Sequence, residues 1–309
     1  MRDLGSLKKR FAGIGTATII PFTKDDKVNT EEYGRFIDWI IEGAKGRVSI
    51  INPFNVELNY LSDAERRQVL KTLVKHAGGK TNTCTIITGA GRSMSTANSI
   101  ENGLEAKDIG IDVVKLTPPT VWGIDLTPDH LYHYFEEIIN AVGLPAIIYN
   151  NIRRMGTGLT PELVVKLADN VENFVILEDP DIYRTRECIA RAKDKLLFFG
   201  YPPDWVPFMA IGCDGFYSHY FWAPEQMFEI YDACVANDFH KATAAFYKYY
   251  DSLKLVRLGL DPEPTVIKFC LNTMKRFDLG ETRGPYIYPP EPQNQKLYIG
   301  TLKRYGLLK

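Results

Sequence analysis

Eight short apolar runs recur along the chain: "GIGTATIIPF" from Gly13, "RVSIIN" from Arg47, "TCTIITGAG" from Thr83, "DVVKLTPP" from Asp112, "LPAIIYN" from Leu144, "NFVILED" from Asn173, "LLFFGYP" from Leu196 and "CDGFYSH" from Cys213. Each is nearly continuous in apolar residues rather than alternating. That is the pattern of parallel strands covered on their outer face by helices. Amphipathic stretches separate them, among them "NTEEYGRFIDWIIEGA", "LSDAERRQVLKTLVKHAGG", "STANSIENGLEAKDIG", "TPDHLYHYFEEIINAVG" and "TPELVVKLADN". Ser62 followed by Glu65, and Thr160 followed by Pro161 and Glu162, mark helix starts; Gly43, Gly78, Gly110 and Gly143 mark stops. Eight strands alternating with helices predict an α/β fold, a (β/α)8 TIM barrel over residues 1–235.

The remaining residues, 236–309, predict a C-terminal helical extension. The stretch "APEQMFEIYDACVAND" completes the barrel. "FHKATAAFYKYYDSLKLVRLG", "EPTVIKFCLNTMKRFDLG" and "PQNQKLYIGTLKRYGLL" follow as helices, the last after the Pro-rich linker "RGPYIYPPEPQ".

Charge narrows the partners. With 37 basic and 38 acidic residues scattered along the chain the net charge is −1, so no field favours nucleic acid or an anionic membrane, and the expected partner is a small molecule. The five cysteines (Cys84, Cys188, Cys213, Cys234, Cys270) are far apart and lack ligand-like spacing, which predicts neither a zinc site nor a disulfide framework, but a reduced cytoplasmic protein. No signal peptide and no run long enough to span a bilayer is read.

In a barrel of this kind, chemistry is carried by residues at the C-terminal ends of the strands. That rule selects Thr16 and Thr18, Asn52 to Glu57, Gly89 to Arg92, Lys115 to Thr120, Tyr149 to Arg154, Glu178 and Asp179, Gly200 to Asp204, and Ser218 to Tyr220.

The order "GTATIIPF", "ELNYLSDAERRQVL", "TGAGRSMSTANSIE", "LPAIIYNNIRRMGTGLTPELVVKLA" and "GCDGFYS" resembles the dihydrodipicolinate synthase and N-acetylneuraminate lyase family of class I aldolases over almost the whole chain. The resemblance implies a barrel with a helical extension, a homo-oligomer (dimer or tetramer) and a lysine on the sixth strand that forms a Schiff base with a 2-oxo acid; from the residues themselves neither a cofactor nor a metal is expected. The resemblance makes Tyr149 a proton relay and Arg154 the arginine of the following loop, with Arg153 as the alternative if that loop shifts. Three departures stand out. "PFNVE", Pro53 to Glu57, replaces the family's Gly-Thr-Thr-Gly-Glu loop, and Pro119 and Thr120 follow the fourth strand in place of tyrosines. Above all, "NFVILEDPD" puts Glu178 at the lysine position, and a carboxylate cannot form an imine.

Adjacent strand residues face opposite sides, so one of Glu178 and Asp179 faces the barrel mouth; by family register it is Glu178. Lys115, inside a buried strand, needs a partner. It is read as the counter-ion of Glu178, with a relocated imine-forming amine or an outward-facing surface lysine as alternatives. The expected catalytic set is Glu178, Tyr149 and Lys115, and the expected substrate-binding set is Arg154, Asn55, Phe54, Thr16, Thr117 and His219. Trp122 and Trp222 add aromatic walls. A divalent-ion site from Glu57, Glu178, Asp204 and His219 is considered, but no ligand spacing supports it.

Three functions follow. The first is a lyase-like enzyme (aldolase, hydro-lyase or decarboxylase type) acting on a small carboxylate or a cyclic or aromatic substrate by acid–base chemistry at Glu178 with Tyr149. The second is a Schiff-base aldolase with its lysine moved to Lys115. The third is a non-catalytic ligand-binding homologue.

Overall fold

The computed structural model of the protein describes residues 3–89, 92–120, 126–218 and 223–308, without the side chain of Asn55. All eight apolar runs are strands: β1 (Gly13–Thr18), β2 (Val48–Pro53), β3 (Asn82–Ile86), β4 (Val113–Leu116), β5 (Ala146–Tyr149), β6 (Phe174–Glu178), β7 (Leu197–Gly200) and β8 (Gly215–Ser218). They are parallel and pair in chain order, with β1 also pairing β8, so the sheet closes into a barrel. The (β/α)8 architecture read from the runs is the observed one.

Closure divides the core in two. Ile50, Cys84, Val113, Ile147, Ile176, Leu197, Phe199 and Tyr217 fill the barrel interior, while the outer faces of the strands pack against the helices in a larger cluster. The helix Leu4–Phe11 closes one end of the interior: Phe11 is fully buried there, and Leu4 and Leu7 pack beside it.

The helix Asp63–Ala77 begins at Ser62, whose side chain accepts from the Glu65 N–H while the Glu65 carboxylate accepts from the Ser62 N–H at 2.9 Å, the reciprocal box read from the sequence. Gly110 and Gly143 end their helices in left-handed backbone, where a Cβ would be strained. Gly43 instead lies within its helix, and Gly78 caps with negative φ.

The stretch 239–259, expected as one helix, is three pieces: Phe239–Lys248, Tyr250–Leu253 and the 3-10 turn Leu255–Arg257. It breaks at Tyr249, whose N–H is shared between the Ala245 and Phe246 carbonyls. The helices Glu263–Thr273 and Pro292–Arg304 complete the C-terminal region. Among the described residues no helix is long and apolar enough to cross a membrane.

Candidate active site

Lys115 and Glu178 meet inside the barrel. Val113, Lys115 and Thr117 share one parity, and Val113 lies in the interior cluster, so Lys115 points inward from β4. Its Nζ donates to Glu178 Oε2 at 2.7 Å, and both side chains are 3% exposed. The ammonium also lies 3.5 Å from the centre of the Tyr217 ring. Tyr217 has this position because β1 passes it with a glycine: a Cβ on Gly15 would come within 2.9 Å of the ring. Burial raises the Glu178 carboxyl above its ordinary range, against the lowering effect of Lys115.

Asp179 faces the other way, as alternation requires. It is fully buried and held by Arg184 through Nε at 2.6 Å and Nη2 at 2.7 Å, by Asn150 Nδ2 at 2.8 Å and by the Asp181 N–H at 2.8 Å. The proximity of two acids in the sequence thus divides into one carboxylate for the cleft and one that fixes the turn after β6.

Tyr149 ends β5 directly beside Glu178 in the strand register. Its hydroxyl accepts from Asn151 Nδ2 at 2.6 Å, and its ring stacks on Tyr201 with centroids 5.8 Å apart. Burial, then the neighbouring Tyr201 and Glu178, pushes its hydroxyl well above the ordinary tyrosine value, so the phenol keeps its proton near neutral pH.

A cleft with about 760 Å³ of empty space, its open mouth included, runs over these groups. Lys115, Glu178, Tyr149, Thr117, Phe54 and Arg154 all line it. Thr117 is fixed by Thr88, the two hydroxyls lying 2.9 Å apart. Arg154 is partly exposed and donates from Nη2 to Glu263 at 3.2 Å.

Thr16 is not part of the lining. Ala17 is, and by alternation Thr16 turns to the opposite face of β1, with its hydroxyl near the Ala17 and Ser218 carbonyls. Glu57, considered as a metal ligand, is committed elsewhere: it accepts from the Ile20 N–H at 2.7 Å and pairs with buried Lys268 at 3.2 Å. Asp204 sits on an outer groove rather than on the cleft. His219, Trp122 and Trp222 lie outside the described residues, as does the side chain of Asn55.

The structure adds wall residues that the selection by motif passed over. Tyr201 was within the rim segment of β7, and Tyr217 is two residues from Gly215 on the inward parity of β8, so both were open to a parity argument. Glu263 was not: it comes from the C-terminal helices, and no local spacing ties it to the strands.

Comparison with known proteins agrees with this architecture. The profile described as "Dihydrodipicolinate synthetase family" matches residues 10–298. The chain is 29% identical over 303 residues to the 4-hydroxy-tetrahydrodipicolinate synthase of Methanocaldococcus jannaschii, covering 96% of this chain and 100% of that one. It is 28% identical to the enzyme of the same name from Clostridium tetani, covering 97% and 99%. A crystal structure of a dihydrodipicolinate synthase superposes with a TM-score of 0.86 at 26% identity over 96% of this chain and 100% of that chain. The Thermotoga maritima enzyme of that name, at 22% identity over 97% and 100%, gives 0.87 and bears on the fold alone. With a matching profile across nearly its full length, the chain belongs to the dihydrodipicolinate synthetase family.

Proposed function

We propose that the protein is a lyase of this family that moves a proton on a small carboxylate-bearing substrate by acid–base chemistry at Glu178, rather than through an imine at the end of β6. The observation that carries this reading is the 2.7 Å contact between Lys115 and Glu178 on the wall of the cleft. A carboxyl raised by burial is a stronger base than an ordinary carboxylate and so better suited to take and return a proton. Lys115 supplies positive charge beside it, where an oxyanion developing on the substrate would be stabilised. The Tyr149 phenol, held by Asn151 and still protonated, is the relay on the neighbouring strand.

A second reading places an imine on Lys115, and the presence of Lys115 in the cleft lining favours it. The surroundings of the amine argue against it. An amine that attacks a carbonyl must first give up its proton, and both the Glu178 carboxylate and the Tyr217 ring face are partners for ammonium charge. Sodium borohydride reduction in the presence of pyruvate, followed by peptide mass mapping, separates the two. Recovery of unmodified Lys115 is expected, and a reduced adduct on Lys115 would overturn the first reading in favour of the second.

A further inference from the structure

Arg257, in a groove next to the cleft, has two guanidinium nitrogens without a hydrogen-bond partner among the described residues. Among the described residues an arginine twice grips a carboxylate with the pair Nε and Nη2: Arg184 on Asp179 at 2.6 and 2.7 Å, and Arg92 on Asp63 at 3.0 Å for both contacts. That edge is the planar fork whose spacing matches two carboxylate oxygens. In Arg257 both atoms of the same edge are buried and have no hydrogen-bond partner among the described residues. The rest of the guanidinium is fixed: Nη1 donates to Glu263, and the group lies 5.0 Å over the Tyr201 ring.

The position of this fork relates it to the chemistry. Arg257 lines an outer groove that shares Arg154, Tyr201 and Glu263 with the cleft, so the two spaces are adjoining. Tyr201, the ring under Arg257, is also the ring stacked on Tyr149. The charge of Arg257 is felt at Glu178, whose carboxyl it helps to lower. The groove is not a general basic surface. Asp204, Asp261 and Glu263 line it as well, and Asp261 is occupied by Tyr298 at 2.6 Å and Asn294 at 2.9 Å. What distinguishes Arg257 is a prearranged fork without an internal carboxylate.

We infer that Arg257 is a substrate-binding residue: it takes a carboxylate remote from the reacting carbon, which makes the C-terminal region part of the site and a small dicarboxylate the preferred substrate class. This rests on the proposed use of the cleft by a small carboxylate-bearing substrate, with the second carboxylate now assigned a place.

The test is calorimetric titration with three pairs matched in carbon number: succinate with butyrate, glutarate with pentanoate, and adipate with hexanoate. At least one dicarboxylate should bind about tenfold or more tightly than its partner, the value of one charge-assisted bidentate contact. In Arg257→Gln that ratio should fall to within about twofold while monocarboxylate binding is unchanged. Arg257→Lys, which keeps the charge and loses the fork, should give an intermediate ratio, and it serves if the glutamine variant does not fold. A ratio that persists in Arg257→Gln or equals wild type in Arg257→Lys would overturn the inference, as would the absence of any preference in the wild-type protein. The same titration in Glu178→Gln separates this from the catalytic reading. A preference kept there and lost in Arg257→Gln supports the anchor even if Glu178 proves not to act in turnover.

Discussion

At the scale of single residues the Lys115–Glu178 pair decides how the site is understood. A buried pair is weak evidence for stability as such, because desolvation of two charges opposes their attraction. Removing one partner leaves the other buried and alone. Lys115→Met and Glu178→Gln should therefore each cost about 3–5 kcal/mol in urea denaturation. Lys115→Met combined with Glu178→Leu should cost far less than the sum of the two losses, since apolar side chains of similar volume replace such pairs with little penalty. All of these variants should be inactive. A double variant that is as unstable as the sum of single changes would mean that the pair holds the barrel together by more than its own charges. Thr16 gives the complementary lesson about parity: one residue along a strand is the difference between the cleft and the helix layer.

At the scale of elements, the strands were legible because burial on both faces writes itself as continuous apolar runs; family register placed Glu178 at the mouth, while the inward direction of Lys115 came from the strand β4 itself. The helix Ile182–Ala192 was less legible, since its fully buried positions are the small residues Thr185, Cys188 and Ala192, with Ile182 and Ile189 the larger apolar side chains packed against the core. The helix Leu4–Phe11 was hidden for a related reason: basic residues crowd its last turn, and its function is carried by Phe11, with Leu4 and Leu7 packed alongside. Phe11 fills the closed end of the barrel, so Phe11→Ala should lower stability by about 3–5 kcal/mol. Because the cleft is lined from the strand C-terminal ends, binding of small carboxylates by the folded fraction should be unchanged, as measured by calorimetry below the unfolding transition. Loss of binding in the folded protein would show that the two ends of the barrel are coupled.

At the scale of the whole molecule, the C-terminal helices are fastened to the barrel loops by buried and half-buried charge. Lys268 reaches Glu57 after β2 and donates to the Glu281 carbonyl at 2.9 Å. Arg283 clasps Glu65 at 2.6 and 3.1 Å and reaches Asp26 at 2.8 Å. The contacts to Glu57, Glu65 and Asp26 join positions more than two hundred residues apart, and Arg257 and Glu263 likewise had no local signal as site residues. Arg283 holds the Glu65 carboxyl down at about 2. A carboxyl lowered by folding contributes stability that is present above its unfolded value, about 4.3, and is lost as pH falls toward the folded one. Acid unfolding of the wild-type protein should therefore show a loss between about pH 4.3 and pH 2 that Glu65→Gln removes; an unchanged acid limb in that variant would contradict this.

The fold and its charge clamps finally serve one claim, that Glu178 moves a proton in a cleft where Lys115 supplies the positive charge. Proton NMR of 2-oxo acids of three to six carbons incubated with the protein in D2O tests it most directly, because carbon–hydrogen exchange reports proton transfer without requiring the complete reaction. The account predicts enzyme-dependent exchange next to the carbonyl of at least one of these acids, slowed by about 10²-fold or more in Glu178→Gln. Exchange at the wild-type rate in that variant, or no exchange above the buffer rate with any of them, would contradict it.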